Sequence, residues 1–203
     1  MPKGQKERAP RVPAGAAVLR ETVTDAIRRA TLKELARVGY ARMSMEAIAR
    51  RAGVGKAAIY RRWPTKAALV VTVISTVAAE DVEVPDTGTL RGDVRALLAM
   101  NAKLLRRPMT QRILADLMAA TRREPQLEAA LRSQVQDRRR AKGRDLLRRA
   151  IDRGELRADL DVDLALDLLA APLYWRIVAT RRTATPTYLD TLTTMILAAF
   201  DAR

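Results

Sequence analysis

The amino-acid sequence predicts an all-α fold. Of its 203 residues 48% are apolar, enough for a real core, and Ala and Leu dominate that set. Aromatics make up only 3% and β-branched runs are few, whereas Arg and Glu are abundant. Such a composition favours helix over sheet. The apolar residues also recur at helical rather than strand spacing.

The elements follow in order. Residues 1 to about 16 read as a flexible basic arm, with Lys3, Lys6, Arg8 and Arg11 among three prolines. A first helix runs to about Val38 with Ile27, Ala30, Leu35 and Val38 on one face, and Gly39 is placed to end it. Ser44 is positioned to cap a short second helix whose inner face is Met45, Ile48, Ala49 and Ala52. Gly53-Val54-Gly55 forms a turn, a third short helix follows to Trp63, and Thr65 caps a fourth. Residues 80 to 88, with Pro85 and Gly88, are irregular. Helical patterns then cover about 90–106, 110–122, 126–153, 161–181 and 186–201, broken at Pro108, Pro125, Gly154 and Pro186. The chain reads as a small basic helical domain joined by the fourth helix to a larger one.

Charge narrows the function. The formal net charge is +15, and residues 1–70 hold 16 Lys and Arg against 5 Asp and Glu, the other 133 residues 22 against 18. That asymmetry points to a nucleic acid or an anionic membrane surface as partner of the N-terminal part. A membrane-surface role needs a basic amphipathic helix with an exposed apolar face, and here the apolar positions fall on short interlocking helices. With no His and no Cys, Ser-His-Asp and Cys-His catalysis, thiolate redox chemistry and His- or Cys-ligated metals are excluded. No enzyme, cofactor or metal site is expected. Asp159, Asp161, Asp163 and Asp167 lack the turn-forming Gly and spaced ligands of a calcium loop and read as the acidic start of a helix. There is neither an 18-residue apolar run nor the apolar stretch of a secretory signal, so a soluble, cytoplasmic protein is expected.

Residues 44–63 carry the function. A helix-turn-helix needs a small residue where its two helices cross, a Gly in the turn and apolar residues locking both. Ala49, Gly53, Val54 and Ile59 fill those roles at the required intervals, with Ile48 and Ala52 beside them. An ordinary αα-hairpin is the plain alternative, and the local charge argues against it. The wider stretch runs Gly39-Tyr40, Ser44-Met45-Glu46-Ala47-Ile48-Ala49, Ala52-Gly53-Val54-Gly55-Lys56 and Ile59-Tyr60-Arg61-Arg62-Trp63-Pro64-Thr65-Lys66-Ala67-Ala68-Leu69. It closely resembles the TetR/AcrR family of one-component regulators over about residues 20–75. Ala171-Pro172-Leu173-Tyr174-Trp175-Arg176 is similar to one C-terminal subgroup of that family.

The resemblance implies a DNA-binding domain over 17–64, an effector-binding and dimerisation domain over 65–203, and repression relieved by a small molecule. It departs from the family at Gly55, where Ser often caps the recognition helix and touches phosphate, and at Ala57, where Gly is common. A glycine cap offers an anion only its backbone N–H groups.

Particular side chains are expected at double-stranded DNA. Lys56 is the best-placed long donor at the start of the recognition helix, and Arg61, one turn on, is a candidate for base or phosphate contact. The resemblance suggests phosphate contacts from Tyr60, Ser44 and Lys66, and from Arg62. Gly55 and Ala57 complete the surface that approaches the groove, while Ile59 and Trp63 read as core. The basic arm either enters a minor groove, tracks phosphates or has no specific role. Arg138-Arg139-Arg140 reads as a solvated face.

In the larger domain, Met100, Leu104, Leu114, Leu117, Met118, Tyr174 and Trp175 are candidates to line an effector pocket, though each also suits a core. Leu164, Leu168, Ala171 and Trp175 form one apolar stripe, and Leu189, Leu192, Ile196 and Phe200 another. They are open to burial within the subunit; the resemblance favours a four-helix interface in a homodimer on a roughly palindromic operator. A DNA binder without effector, or an activator, satisfies the N-terminal half equally well.

Overall fold

The computed structural model describes residues 15–80 and 85–202, and every regular element among them is helical. The arm expected at residues 1–16 lies outside the described residues except for its last two, which open α1 (Gly15–Arg42). Residues 81–84 of the expected irregular stretch also lie outside them.

The N-terminal helices are α1, α2 (Met45–Ala52), α3 (Lys56–Tyr60) and α4 (Lys66–Glu80). α1 outlasts its expected end at Val38, but Gly39 interrupts it with φ 76° and ψ 168° before one further turn. Glycine is the residue that adopts that φ without strain, so the helix breaks one residue past Val38, where the sequence places its stop. α3 is shorter than expected, because Arg61 and Arg62 already form a turn leading to Trp63 and Pro64.

The larger half comprises α5 (Leu90–Leu105), α6 (Pro108–Thr121), α7 (Pro125–Leu131), α8 (Asp137–Asp152), α9 (Val162–Leu173) and α10 (Pro186–Ala199). Pro108, Pro125 and Pro186 each open a helix, where a missing N–H costs nothing. The predicted single helix at 126–153 is α7 and α8 joined through a π-helical turn, Arg132–Gln136. A second π-helical turn, Tyr174–Ala179, extends α9 just after Pro172, whose ring removes one backbone donor from the helix. Asp161 caps α9 by accepting the Leu164 N–H at 3.0 Å, so the acidic run does start a helix.

Two cores result. One gathers α5, α8, α9 and α10 around residues such as Leu98, Leu146, Leu147, Leu169 and Phe200. The other contains Ile27, Ile48, Ile59, Trp63 and Leu69 from the first four helices, and with them Ile113, Leu117, Leu127 and Leu131 from α6 and α7. The N-terminal core therefore extends past residue 65 into the larger half. α1 packs on both α2 and α6, and α4 lies against α7 and the first π-helical turn.

Candidate nucleic-acid interface

The interface begins with how α2 and α3 are held. Ser44 is extended (φ −129°, ψ 149°) and its Oγ accepts the Ala47 N–H at 3.1 Å, satisfying one free donor of the first turn. Gly53 closes α2 in the left-handed region at φ 70°, and Val54 donates to the Ala49 carbonyl at 3.0 Å. Ile48 and Ile59 are fully buried and Trp63 nearly so, which locks α3 against α1 and α2. What α3 turns outward is Lys56, Ala57, Tyr60 and then Arg61, all exposed beside Gly55. Gly55 caps α3 without a side-chain bond, and the space where its Cβ would stand is open.

The expected contact residues sit in different environments. Lys56 reaches outward with its ammonium 5.5 Å from the Tyr60 ring centroid and ion-paired to the Glu46 carboxylate. The hydrogen bond between them holds the Glu46 carboxyl below its usual range and the Lys56 ammonium above its own. Arg62 Nη1 donates to Thr24 Oγ1 of α1 at 2.5 Å. Lys66 is half-buried and turned inward: its Nζ donates to the Tyr40 carbonyl at 2.8 Å and lies 4.2 Å from the Tyr40 ring centroid. Lys66 thus caps the C-terminal end of α1, where a cation is favoured.

Tyr40 joins the two halves of the chain, a role its sequence neighbourhood does not announce. Its N–H donates to Asp116 Oδ2 of α6 at 2.6 Å, and its hydroxyl donates to Glu124 Oε2, just before α7, at 2.8 Å. Burial and the neighbouring carboxylate push its phenol pKa upward, so the hydroxyl stays a donor. At Gly39 a Cβ would collide with the Asp116 carboxylate, so glycine is needed for close approach as well as for φ. Glu34 is likewise unannounced: it is 2% exposed and accepts from Arg37 at 2.7 Å and from Arg51 of α2 at 3.1 Å. Gly39-Tyr40 was legible as a helix stop, but nothing near it in sequence announces an acid on α6.

The predicted effector and dimer residues disperse. Leu117 is buried in the N-terminal core. Met100, Leu104 and Leu114 are half-buried, and Trp175 is 67% exposed. Met118 and Tyr174 do meet, the Tyr174 hydroxyl lying 2.8 Å from the Met118 Sδ. A cavity between α5, α8 and α9 is lined by none of these seven. Of the dimer set, Leu189, Leu192, Ile196 and Phe200 belong to the subunit's own core, because α10 packs that face on α5. Within the single chain this face is therefore covered, which is the first of the two readings open for the stripe. Leu168 is half-buried, and Leu164 stands out at 56% exposed.

A capped α2, a glycine turn and a basic outward α3 define a helix-turn-helix DNA-binding regulator. Comparison with known proteins gives the family. Residues 27–73 match the model described as bacterial regulatory proteins, tetR family, and residues 84–196 the one described as tetracyclin repressor-like, C-terminal domain. The chain belongs to the TetR family of DNA-binding transcriptional regulators, which are not enzymes. It is 31% identical to the HTH-type transcriptional regulator YdeS of Bacillus subtilis, over 76% of this chain and 77% of that one. It is 35% identical to the DNA-binding transcriptional repressor TetR of Mycobacteroides abscessus, over 77% of this chain and 83% of that one. A crystallised TetR family transcription regulator, 30% identical, superposes with a TM-score of 0.70 over 87% of this chain and 97% of its own. No described helix is long and apolar enough to cross a membrane.

Proposed function

We propose that the chain is a homodimeric repressor that binds a roughly palindromic operator in cytoplasmic double-stranded DNA and leaves it when a small molecule occupies the domain spanning residues 65–203. The observation that carries the DNA part is the outward face of α3, where Lys56, Ala57, Tyr60 and Arg61 stand exposed on a helix clamped from behind by Ile59 and Trp63. Ser44 presents its capped helix start beside them. The α9 stripe supports the dimer: Leu164, Ala171 and Trp175 are all exposed in one chain, and Met195 of α10 is 66% exposed. Large apolar side chains so exposed call for a partner, and a two-fold pair would set two α3 helices on successive major grooves.

Release follows by linkage. An effector that prefers the conformation with displaced α3 helices weakens operator binding by its own coupling energy, typically about 1–3 kcal/mol. The contacts of Tyr40 with Asp116 and Glu124 supply a direct mechanical route between the halves. Selection of bound fragments from genomic DNA by the purified protein at fixed salt tests the reading, with light scattering on the same sample. The expected result is a two-fold sequence motif and twice the mass of one chain. No enrichment over non-specific DNA overturns the operator, and a concentration-independent single-chain mass overturns the dimer.

A further inference from the structure

The outward face of α3 has an uneven chemistry. Lys56, Ala57, Tyr60 and Arg61 are exposed on it, whereas Ala58 is half-buried and Ile59 fully buried. The polar side chains of this face are all long. Lys56 is ion-paired to Glu46 and lies by the Tyr60 ring, and Arg61 stands in the turn that ends α3. Between Gly53 and Trp63 there is no Ser, Thr, Asn, Gln, Asp or Glu, so no short side chain offers a hydrogen bond at close range. Gly55 adds no group of its own, and the space where its Cβ would stand is open. Long side chains can swing toward the rims of a groove. The middle of the face is then the single methyl of Ala57, at the position where Gly is common in the family.

We infer that Ala57 sets part of the operator sequence by packing on the C5-methyl of a thymine. The inference rests on the reading above that α3 enters the major groove. Each base pair shows its own pattern of donors and acceptors there, and thymine alone adds a methyl. A hydrocarbon contact on guanine, adenine or cytosine strips water from an N7, O6, N6 or N4 group and returns no hydrogen bond, which is costly. Against thymine the same contact buries one methyl on another. Both effects favour thymine, the first by penalising the other bases and the second by direct gain. The long side chains contribute differently: Lys56, Tyr60 and Arg61 can reach phosphates on either side, which fixes register without reading sequence. A glycine at residue 57 would leave the base edge to water and discriminate nothing at that point. The added methyl thus makes a departure from the family pattern into a specificity contact. Two-fold pairing of chains repeats the contact once in each half-site.

The test takes the duplex enriched from genomic DNA by the full-length protein and replaces thymidine by 2′-deoxyuridine, one symmetry-related pair of positions at a time. That exchange deletes only the methyl. At one pair it is expected to weaken binding by about fourfold per methyl, roughly fifteenfold for the two half-sites together. The loss should be the same at low and high salt, unlike the loss of a phosphate contact. Ala57→Gly should bind the thymidine and deoxyuridine duplexes alike at that pair. Ala57→Ser, a better helix former than the glycine variant, should also lose most of the discrimination, and circular dichroism checks that both variants are folded. Uracil tolerated at every position, or an equal loss in the wild type and both variants, overturns the inference and leaves operator binding standing. An operator without thymine in its half-sites does the same. Failure to enrich any operator overturns the reading beneath and this inference with it.

Discussion

Lys56 and Tyr60 are exposed on a helix whose stability comes from Ile59 and Trp63, so contact and folding are separable at this site. Lys56→Ala and Tyr60→Ala should each weaken operator binding at least tenfold in a gel-shift titration while leaving the melting temperature unchanged. Unaltered affinity would remove α3 from the recognition role. With Lys56 proposed at the DNA, its ion pair with Glu46 would compete with the phosphates, so Glu46→Gln should strengthen binding to any duplex, most at low salt. Glu34 behaves differently. Hydrogen bonds from Arg37 and then Arg51 hold its folded-state pKa below the usual carboxylate range. A lowered pKa contributes stability that is fully present above the unfolded value of about 4.3 and is lost as pH falls through the folded value. Melting temperature should therefore fall on acidification, and Glu34→Gln should flatten that fall while lowering the plateau near neutrality.

Between elements, caps and a buried tyrosine carry the information. Ser44→Ala removes the acceptor for the Ala47 N–H and should cost about 1 kcal/mol in denaturant unfolding. Gly55→Ser meets open space and a φ of −68°, so it adds a cap to α3 without strain. It should stabilise by a few tenths of a kcal/mol and, in the proposed docking of α3, tighten operator binding by offering phosphate a hydroxyl. A destabilised variant would mean that α3 starts elsewhere. Tyr40→Phe deletes only the bond to Glu124 and keeps the ring under Lys66; its cost should be about 0.5–1.5 kcal/mol. If Tyr40 links the halves, this variant should also lower the effector's effect on operator affinity, which a purely packing role would leave intact.

At the scale of the whole molecule, the exposed face of α9 bears on assembly. Leu164, Ala171 and Trp175 lie along one exposed stripe, whereas the stripe of α10 is already buried inside the subunit. Trp175→Asp should yield a folded single chain by light scattering, with unchanged helical circular dichroism and operator affinity reduced by far more than tenfold, because one half-site replaces two. A variant that still dimerises would move the interface off this stripe. The same comparison tests the coupling of oligomerisation to DNA binding, since the substitution lies on the larger half and α3 on the smaller.

Much of this protein was determined by local sequence. The all-α class, most helix boundaries, the Ser44 cap, the Gly39 and Gly53 stops and the turn between α2 and α3 all arise from interactions within about four residues. Periodicity and capping chemistry report such interactions directly. The burial of Ile59 and Trp63 behind an exposed Lys56 and Tyr60 was legible for the same reason. Tertiary structure decided the rest. An apolar stripe predicts that a helix face is covered but cannot say by what, so Leu192 and Phe200 entered the subunit core while Leu164 and Trp175 stayed outside. Lys66 turned to the carbonyls of α1, Tyr40 found acids from α6 and the start of α7, and three cations of α8 gathered over leucines of two other helices. Those outcomes join residues tens of positions apart. They depend on how whole helices pack, which no local pattern encodes.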